Sequence, residues 1–192
     1  MDLATAITLG VTVTLALAGY ALTYRNNLRI DQRKARLDRV NRQLGELYGP
    51  LLALSAAGAM AWLQFRSAYR PGLQPFWGTE PPTEDEAAAY RLWMKEVFMP
   101  LNLRMEAAVI EKADLLEELE MPPVLLALCA HVAAYKATLK RWELGESSED
   151  RGLVNFPTGL HEYAAGEFAR LKRTQNELLG LLQAPSASSQ AA

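Results

Sequence analysis

The chain has 192 residues, half of them apolar, and its 20 basic and 22 acidic residues give a formal charge of −2. This size supports one domain plus a short extra segment, and the apolar fraction excludes disorder as the default. From Gln43 onward there are 13 basic and 19 acidic residues, a balance that argues against nucleic acid as a partner. The single cysteine, Cys129, excludes an intramolecular disulfide.

The first segment, Leu3 to Tyr24, is 22 residues long and carries no charge. As a helix it would be about 33 Å long, close to the roughly 30 Å hydrocarbon core of a bilayer, so residues 1–24 are predicted to form a transmembrane anchor. The following cluster from Arg25 to Arg42, with seven basic and two acidic residues, favours the cytoplasmic side. The sequence therefore predicts a single-pass protein of the inner (plasma) membrane with its N-terminus outside, and the composition is typical of bacteria.

Two alternatives concern this first segment. Ala16-Leu17-Ala18 resembles a signal-peptide cleavage site, but no positive charge precedes the apolar run, which disfavours cleavage. A stripe of small residues at four-residue spacing would let two such helices approach closely, although the composition alone produces such a stripe. Its members are Ala6, Gly10, Thr14 and Ala18.

Residues 25–48 are predicted to continue the anchor as a basic amphipathic stalk helix. A coiled-coil seam runs through this helix, with a first step of seven residues and then steps of three and four: Ile30, Leu37, Val40, Leu44, Leu47, Leu51 and Leu54. The basic residues next to the anchor are predicted to contact anionic lipid headgroups, with a solvated face that only sets topology as the alternative. These residues are Arg25, Arg29, Arg33, Lys34 and Arg36.

Residues 49–183 are predicted to form a helical bundle, and residues 184–192 a disordered tail. Pro50 is expected to open the first bundle helix, and Thr83 with Glu86 matches the capping box of the next. Pro100 should kink or restart that helix, and the periodicity then continues to Glu120. Two more helices are expected, one from Pro122-Pro123 to about Gly145 and one over about 160–182.

No segment alternates apolar and polar residues as a strand would. The expected fold is therefore all-α, with an N-terminal single transmembrane helix followed by an antiparallel helical bundle of about five helices.

The sequence offers no catalytic, cofactor-binding or metal-binding constellation. His131 and His161 lack the glutamate three residues earlier that a di-iron bundle requires, and position 165 is not the second histidine of a zinc protease motif. A structural role is expected for His131. The carboxylates between Glu106 and Glu120 are expected to form a solvated face, with a cation site or a basic partner as the alternative.

Phe76 and Trp77 lie in a proline-rich loop and are candidate partner contacts, although both are more simply placed folded back onto the core. The expected function is a membrane-tethered protein-interaction or scaffold module without catalytic activity, whose partners are the lipid bilayer, an unidentified protein and a second copy of the chain. The alternative is a sensor or effector domain that binds a small apolar ligand in a cavity lined by Trp93, Tyr135 or Trp142.

Overall fold

The computed structural model of the chain describes residues 2–71, 76, 80–146 and 152–180, and for residues 3–11 and 13 it describes the backbone alone. Every regular element in these ranges is helical, which confirms the all-α prediction. The elements in chain order are α1 (Leu3–Arg42), a first π-helical turn (Gln43–Tyr48), α2 (Gly49–Tyr69), α3 (Glu84–Trp93), a second π-helical turn (Met94–Phe98), α4 (Met99–Glu111), a 3₁₀ turn (Ala113–Leu115), α5 (Pro123–Glu143) and α6 (Leu160–Leu179).

The predicted transmembrane anchor is wrong. Within the described part of the chain, no helix is both long enough and apolar enough to cross a membrane. After Tyr24, α1 continues through the basic cluster to Arg42. The predicted single-pass topology and inner-membrane location depended on the anchor and are contradicted by the same finding.

The chain divides into two compact units, residues 1–41 with 175–192 and residues 42–174. In the first unit, Arg33 Nε donates a hydrogen bond to the Leu178 carbonyl oxygen (2.7 Å), and Gln175 Nε2 donates to Asn41 Oδ1 (2.7 Å). The final carbonyl groups of α6 lack partners within the helix, and Arg33 of α1 supplies a donor to one of them. These bonds hold the end of α6 beside α1.

In the second unit, α4 packs against both α2 and α5, and α2 also packs against α3. The part of the heptad seam in this unit is buried, with Leu44, Leu47, Leu51 and Leu54 at most 8% exposed. These residues therefore contribute to the core of this chain. Ile30, at the other end of the seam, is 42% exposed.

Each π-helical turn ends immediately before a helix that carries proline at its second position. The Gly49 N–H donates to the Leu44 carbonyl oxygen, and the Met99 N–H donates to the Met94 carbonyl oxygen. Because Pro50 and Pro100 have no N–H and their rings crowd the carbonyl four residues earlier, a wider turn lets the chain remain helical through both. The sequence shows where proline interrupts the helical hydrogen bonds, whereas the structure shows that a π-helical turn before each proline keeps the chain helical.

Two predicted helix boundaries had different outcomes. The capping box is confirmed: Glu86 N donates to Thr83 Oγ1 (3.3 Å), and Thr83 N donates to Glu86 Oε2 (2.7 Å). The helix predicted to continue to Glu120 instead ends at Glu111. Buried Gln43 holds the chain after it, donating from Nε2 to the Leu115 carbonyl oxygen (2.7 Å). This contact joins residues 72 positions apart and has no sequence signature.

Candidate functional site

Among the described side chains of α1, the large exposed apolar ones other than Ile30, which is 42% exposed, fall on two sides of the helix. Leu15 and Leu22 are 67% and 71% exposed and lie on one side. On the other side lie Leu17 (64% exposed), Tyr20 (72%), Tyr24 (56%) and Leu28 (42%), which we call the α1 face. At about 100° per residue, these four positions fall within an arc of roughly 80°. They therefore form one line of contact along about three turns.

The two tyrosines of the α1 face form a continuous aromatic surface. Their ring centroids are 6.4 Å apart, and their planes are inclined by only 13°. A separation of four residues places side chains one above the other on a helix. Tyrosine offers a rigid, largely apolar surface together with a polar hydroxyl, a combination that is enriched at protein interfaces. The α1 face is therefore suited to pack against another helix.

The five basic residues predicted to contact lipid are all exposed on α1: Arg25, Arg29, Arg33, Lys34 and Arg36. Arg33 is also used within the chain, since it binds the Leu178 carbonyl oxygen. The case for lipid contact depended on an adjacent transmembrane anchor, and that anchor is contradicted. What the structure shows for these residues is a set of exposed charges on α1 that begins at Arg25, before the α1 face ends at Leu28.

A buried polar pair joins α4 to α5. Asn102 Nδ2 lies 3.3 Å from His131 Nε2, and His131 Nδ1 lies 2.8 Å from the Val154 carbonyl oxygen. Since a carbonyl can only accept, Nδ1 donates its proton and Nε2 accepts from Asn102, which fixes a neutral imidazole. Burial lowers the pKa of His131, and the bond to Val154 opposes this shift. His131 therefore has the structural role expected from the sequence.

Residues 152–156, which we call the strap, run back along α5 beside this histidine. The Gly152 N–H donates to the Tyr135 hydroxyl (3.2 Å), which lies 2.7 Å from the buried Tyr90 hydroxyl. The Phe156 ring meets the His131 ring edge-on at 5.4 Å. These contacts give the strap a fixed position without regular secondary structure.

An aromatic cluster fills the space between α2, α3 and the second π-helical turn. The Phe65 ring is fully buried and lies 5.1–6.3 Å from the rings of Tyr69, Phe76, Tyr90, Trp93 and Phe98. Phe76 is 2% exposed and stacks on Tyr90 at 5.2 Å, so it is folded onto the core. Trp77 lies outside the described residues. The structure thus places Phe76 away from any partner surface.

Three of the acidic residues between Glu106 and Glu120 each contact a different residue of another element. Glu106 pairs with Lys136 (2.7 Å) and Glu117 pairs with Arg170 (3.0 Å), while Glu118 Oε1 accepts a hydrogen bond from the Tyr163 hydroxyl (3.1 Å). No group of three or more histidine, cysteine, aspartate or glutamate side chains suited to a metal ion occurs in the described part of the chain. Glu106 therefore joins α4 to α5, whereas Glu117 and Glu118 join the segment after α4 to α6.

The remaining reactive side chains lie in ordinary surroundings. Cys129 is partly buried on α5, and burial raises the pKa of its thiol, which makes the nucleophilic thiolate scarcer. His161 Nδ1 lies 3.2 Å from Ser55 Oγ, joining α6 to α2. Among the described residues, no carboxylate is hydrogen-bonded to His161 to complete a catalytic triad with Ser55.

The sequence contained the α1 face but led to a different interpretation of it. Uniform apolarity over residues 3–24 indicated a lipid-exposed helix, in which Tyr20 and Tyr24 would lie at the membrane interface. The available signal was the spacing of Leu17, Tyr20, Tyr24 and Leu28, three or four residues apart.

Comparison of the chain with protein families, curated proteins and solved structures gave no match. The functional proposal therefore rests on the geometry of the chain.

Proposed function

We propose that this chain is a non-catalytic protein-interaction module whose contact surface is the α1 face. The observation that carries the proposal is the line of four large side chains, each 42–72% exposed, on one side of α1. Scattered exposed apolar residues are ordinary on protein surfaces, but an aligned group of large ones is typical of an interaction site. The partner supplies an apolar helix face of similar length.

Several buried polar residues of the second unit support this proposal because their hydrogen bonds hold the fold. Asn102 and His131 join α4, α5 and the strap, and Gln43 holds the segment after α4. The ionised side chains at the surface form pairs between elements, such as Lys136 with Glu106. In this proposal the bundle is a stable body that carries α1.

A small-ligand-binding function is a second candidate. It is favoured by the Trp142 indole Nε1, which is buried and has no hydrogen-bond partner among the described residues. Against it, Tyr135 contacts Tyr90, His131 and Gly152, and the Trp93 ring lies 5.5 Å from Phe65. Native mass spectrometry of the purified chain tests this candidate, since a ligand retained in the bundle would add its mass.

The interaction function is tested by photo-cross-linking of the full chain in its own cells. A benzophenone amino acid replaces Tyr20 in one variant and Leu92 of α3 in a control variant, both large exposed residues at 72% and 59%. We expect irradiation to give a discrete protein adduct from position 20 and none from position 92. Equal adducts from both positions, or none from position 20, would contradict the proposal.

A further inference from the structure

We propose that the partner of the α1 face is the α1 face of a second copy, with the two helices antiparallel about a two-fold axis. This inference rests on the proposed function and specifies its partner. Three properties of residues 14–42 lead to it: the order of the side chains, the distribution of charge and the size of the exposed surface.

The α1 face reads the same in both directions along the helix. Its order is leucine, tyrosine, tyrosine, leucine, at positions 17, 20, 24 and 28. An axis near residue 22 places Leu17 opposite Leu28 of the second copy and Tyr20 opposite Tyr24 of the second copy. The spacings of three and four residues leave a mismatch of one residue, about 1.5 Å along the helix. A two-fold interface requires this kind of self-complementary surface.

The charge distribution favours antiparallel over parallel pairing. Residues 14–24 carry no charge, whereas residues 25–42 carry seven basic and two acidic side chains. In a parallel pair, the two basic segments would run side by side, and Arg39 and Arg42, which project to the side of the α1 face at about 100° per residue, would face their equivalents in the second copy. In the antiparallel pair, the two Arg33 residues are roughly 32 Å apart along the axis, and each basic segment lies beside uncharged helix. Repulsion between the two basic segments is therefore smaller in the antiparallel arrangement.

At complete coverage, the exposed surface reaches the lower end of the area that specific contacts bury. If the second copy covers the exposed fractions of the four side chains, about 500 Å² is buried on each copy, roughly 1,000 Å² in total. This equals the lower bound of specific protein interfaces, so we expect a reversible dimer. The tyrosines lie at its centre, where the residues that dominate affinity are usually found.

Cross-linking between cysteine variants of the full chain tests the direction of pairing. Leu17→Cys and Leu28→Cys are prepared separately in a Cys129→Ser background, one with a larger affinity tag, then mixed and treated with a short bismaleimide. The antiparallel pair brings positions 17 and 28 of different copies together but leaves two copies of position 17 about 16 Å apart along the axis. We expect the mixed product to exceed either homodimer at least roughly fivefold. Homodimers in excess of the mixed product would overturn the proposal.

Sedimentation velocity with matched aspartate variants tests the surface itself. Tyr20→Asp and Leu22→Asp introduce the same charge two residues apart, at sites that are 72% and 71% exposed but on opposite sides of α1. We expect Tyr20→Asp to raise the dimer dissociation constant by roughly 100-fold and Leu22→Asp by less than about threefold.

Other results separate this inference from the proposed function. Equal effects of the two variants would overturn the self-pairing. So would a wild-type chain that stays monomeric in solution, or one that floats as a monomer with phosphatidylcholine vesicles. If the photo-cross-linker at position 20 then captured only a different protein, the interaction function would stand without the second copy. If it captured no protein, both would fail.

Discussion

Replacing Gly152 with alanine should destabilise the fold through Tyr135. A Cβ at position 152 would lie 2.7 Å from Tyr135 Cζ and 2.9 Å from Cδ2, distances at which atoms overlap. The ring has little freedom to move, because its centroid lies 4.7 Å from the His131 ring and its hydroxyl lies 2.7 Å from Tyr90. The strain must therefore be relieved by displacement of the strap.

The expected cost follows from what that displacement loses. Overpacking a core typically costs about 1–3 kcal/mol. Moving the strap also weakens the bond from Gly152 N to the Tyr135 hydroxyl (3.2 Å) and the bond from His131 to Val154 (2.8 Å), each worth about 1 kcal/mol. Displacing the strap removes part of the overlap, so the overpacking cost and the hydrogen-bond cost do not add in full. We therefore expect Gly152→Ala to lower the free energy of unfolding by about 2–4 kcal/mol.

Urea unfolding followed by far-UV circular dichroism measures this change, with Gly166→Ala as the control. A Cβ at Gly166 of α6 would meet no neighbour within 4 Å, so alanine there should stabilise the chain by up to about 1 kcal/mol. In a Tyr135→Ala background, Gly152→Ala should lose most of its cost, because the overlapping ring is gone. A loss below about 0.5 kcal/mol in the wild-type background, or an unchanged loss in the Tyr135→Ala background, would refute the reasoning.

Two further predictions concern the first π-helical turn and the buried histidine. Gly49→Ala should lower the free energy of unfolding by about 2–3 kcal/mol, because its Cβ would overlap the Leu44 carbonyl oxygen. The control is Gly45→Ala, whose Cβ would have no neighbour within 4 Å and which should be neutral or stabilising in the same urea assay. Burial lowers the pKa of His131, so below about pH 6.5 the unfolded chain takes up a proton that the folded chain does not. Stability should therefore fall as pH drops from about 6.5 towards the lowered pKa of the folded state, by at most about 1.4 kcal/mol per pH unit. Urea midpoints at pH 7.5 and 5.5 measure this, and an equal pH dependence in His131→Gln would contradict the assignment to His131.

Several elements could be predicted because their causes are local. The capping box at Thr83 and Glu86 joins neighbouring residues, and proline at the start of α5 satisfies a rule for the first helical turn. The last helix was expected to end near Leu182, and it ends at Leu179 before Gly180, whose φ of 72° is one that glycine adopts readily.

Other features could not be predicted because their causes are distant in the chain. The end of α4 depends on Gln43, and the strap depends on Tyr135 and His131. Apolar composition over residues 3–24 led to a membrane anchor, although composition alone does not specify what covers an apolar helix. The predicted disordered tail, residues 184–192, lies outside the described residues and stays a prediction.

The sequence by itself determined that this protein is helical, where several helices begin, and that its chain carries none of the catalytic or metal-binding motifs sought. These properties arise from periodicity, capping and the backbone restrictions of proline, which act within a few residues. Only the tertiary structure decided that His131 is a buried neutral link, that Phe76 is core and that the α1 face is exposed. Burial and exposure depend on which distant segments pack together, and a pattern of nearby residues does not contain that information.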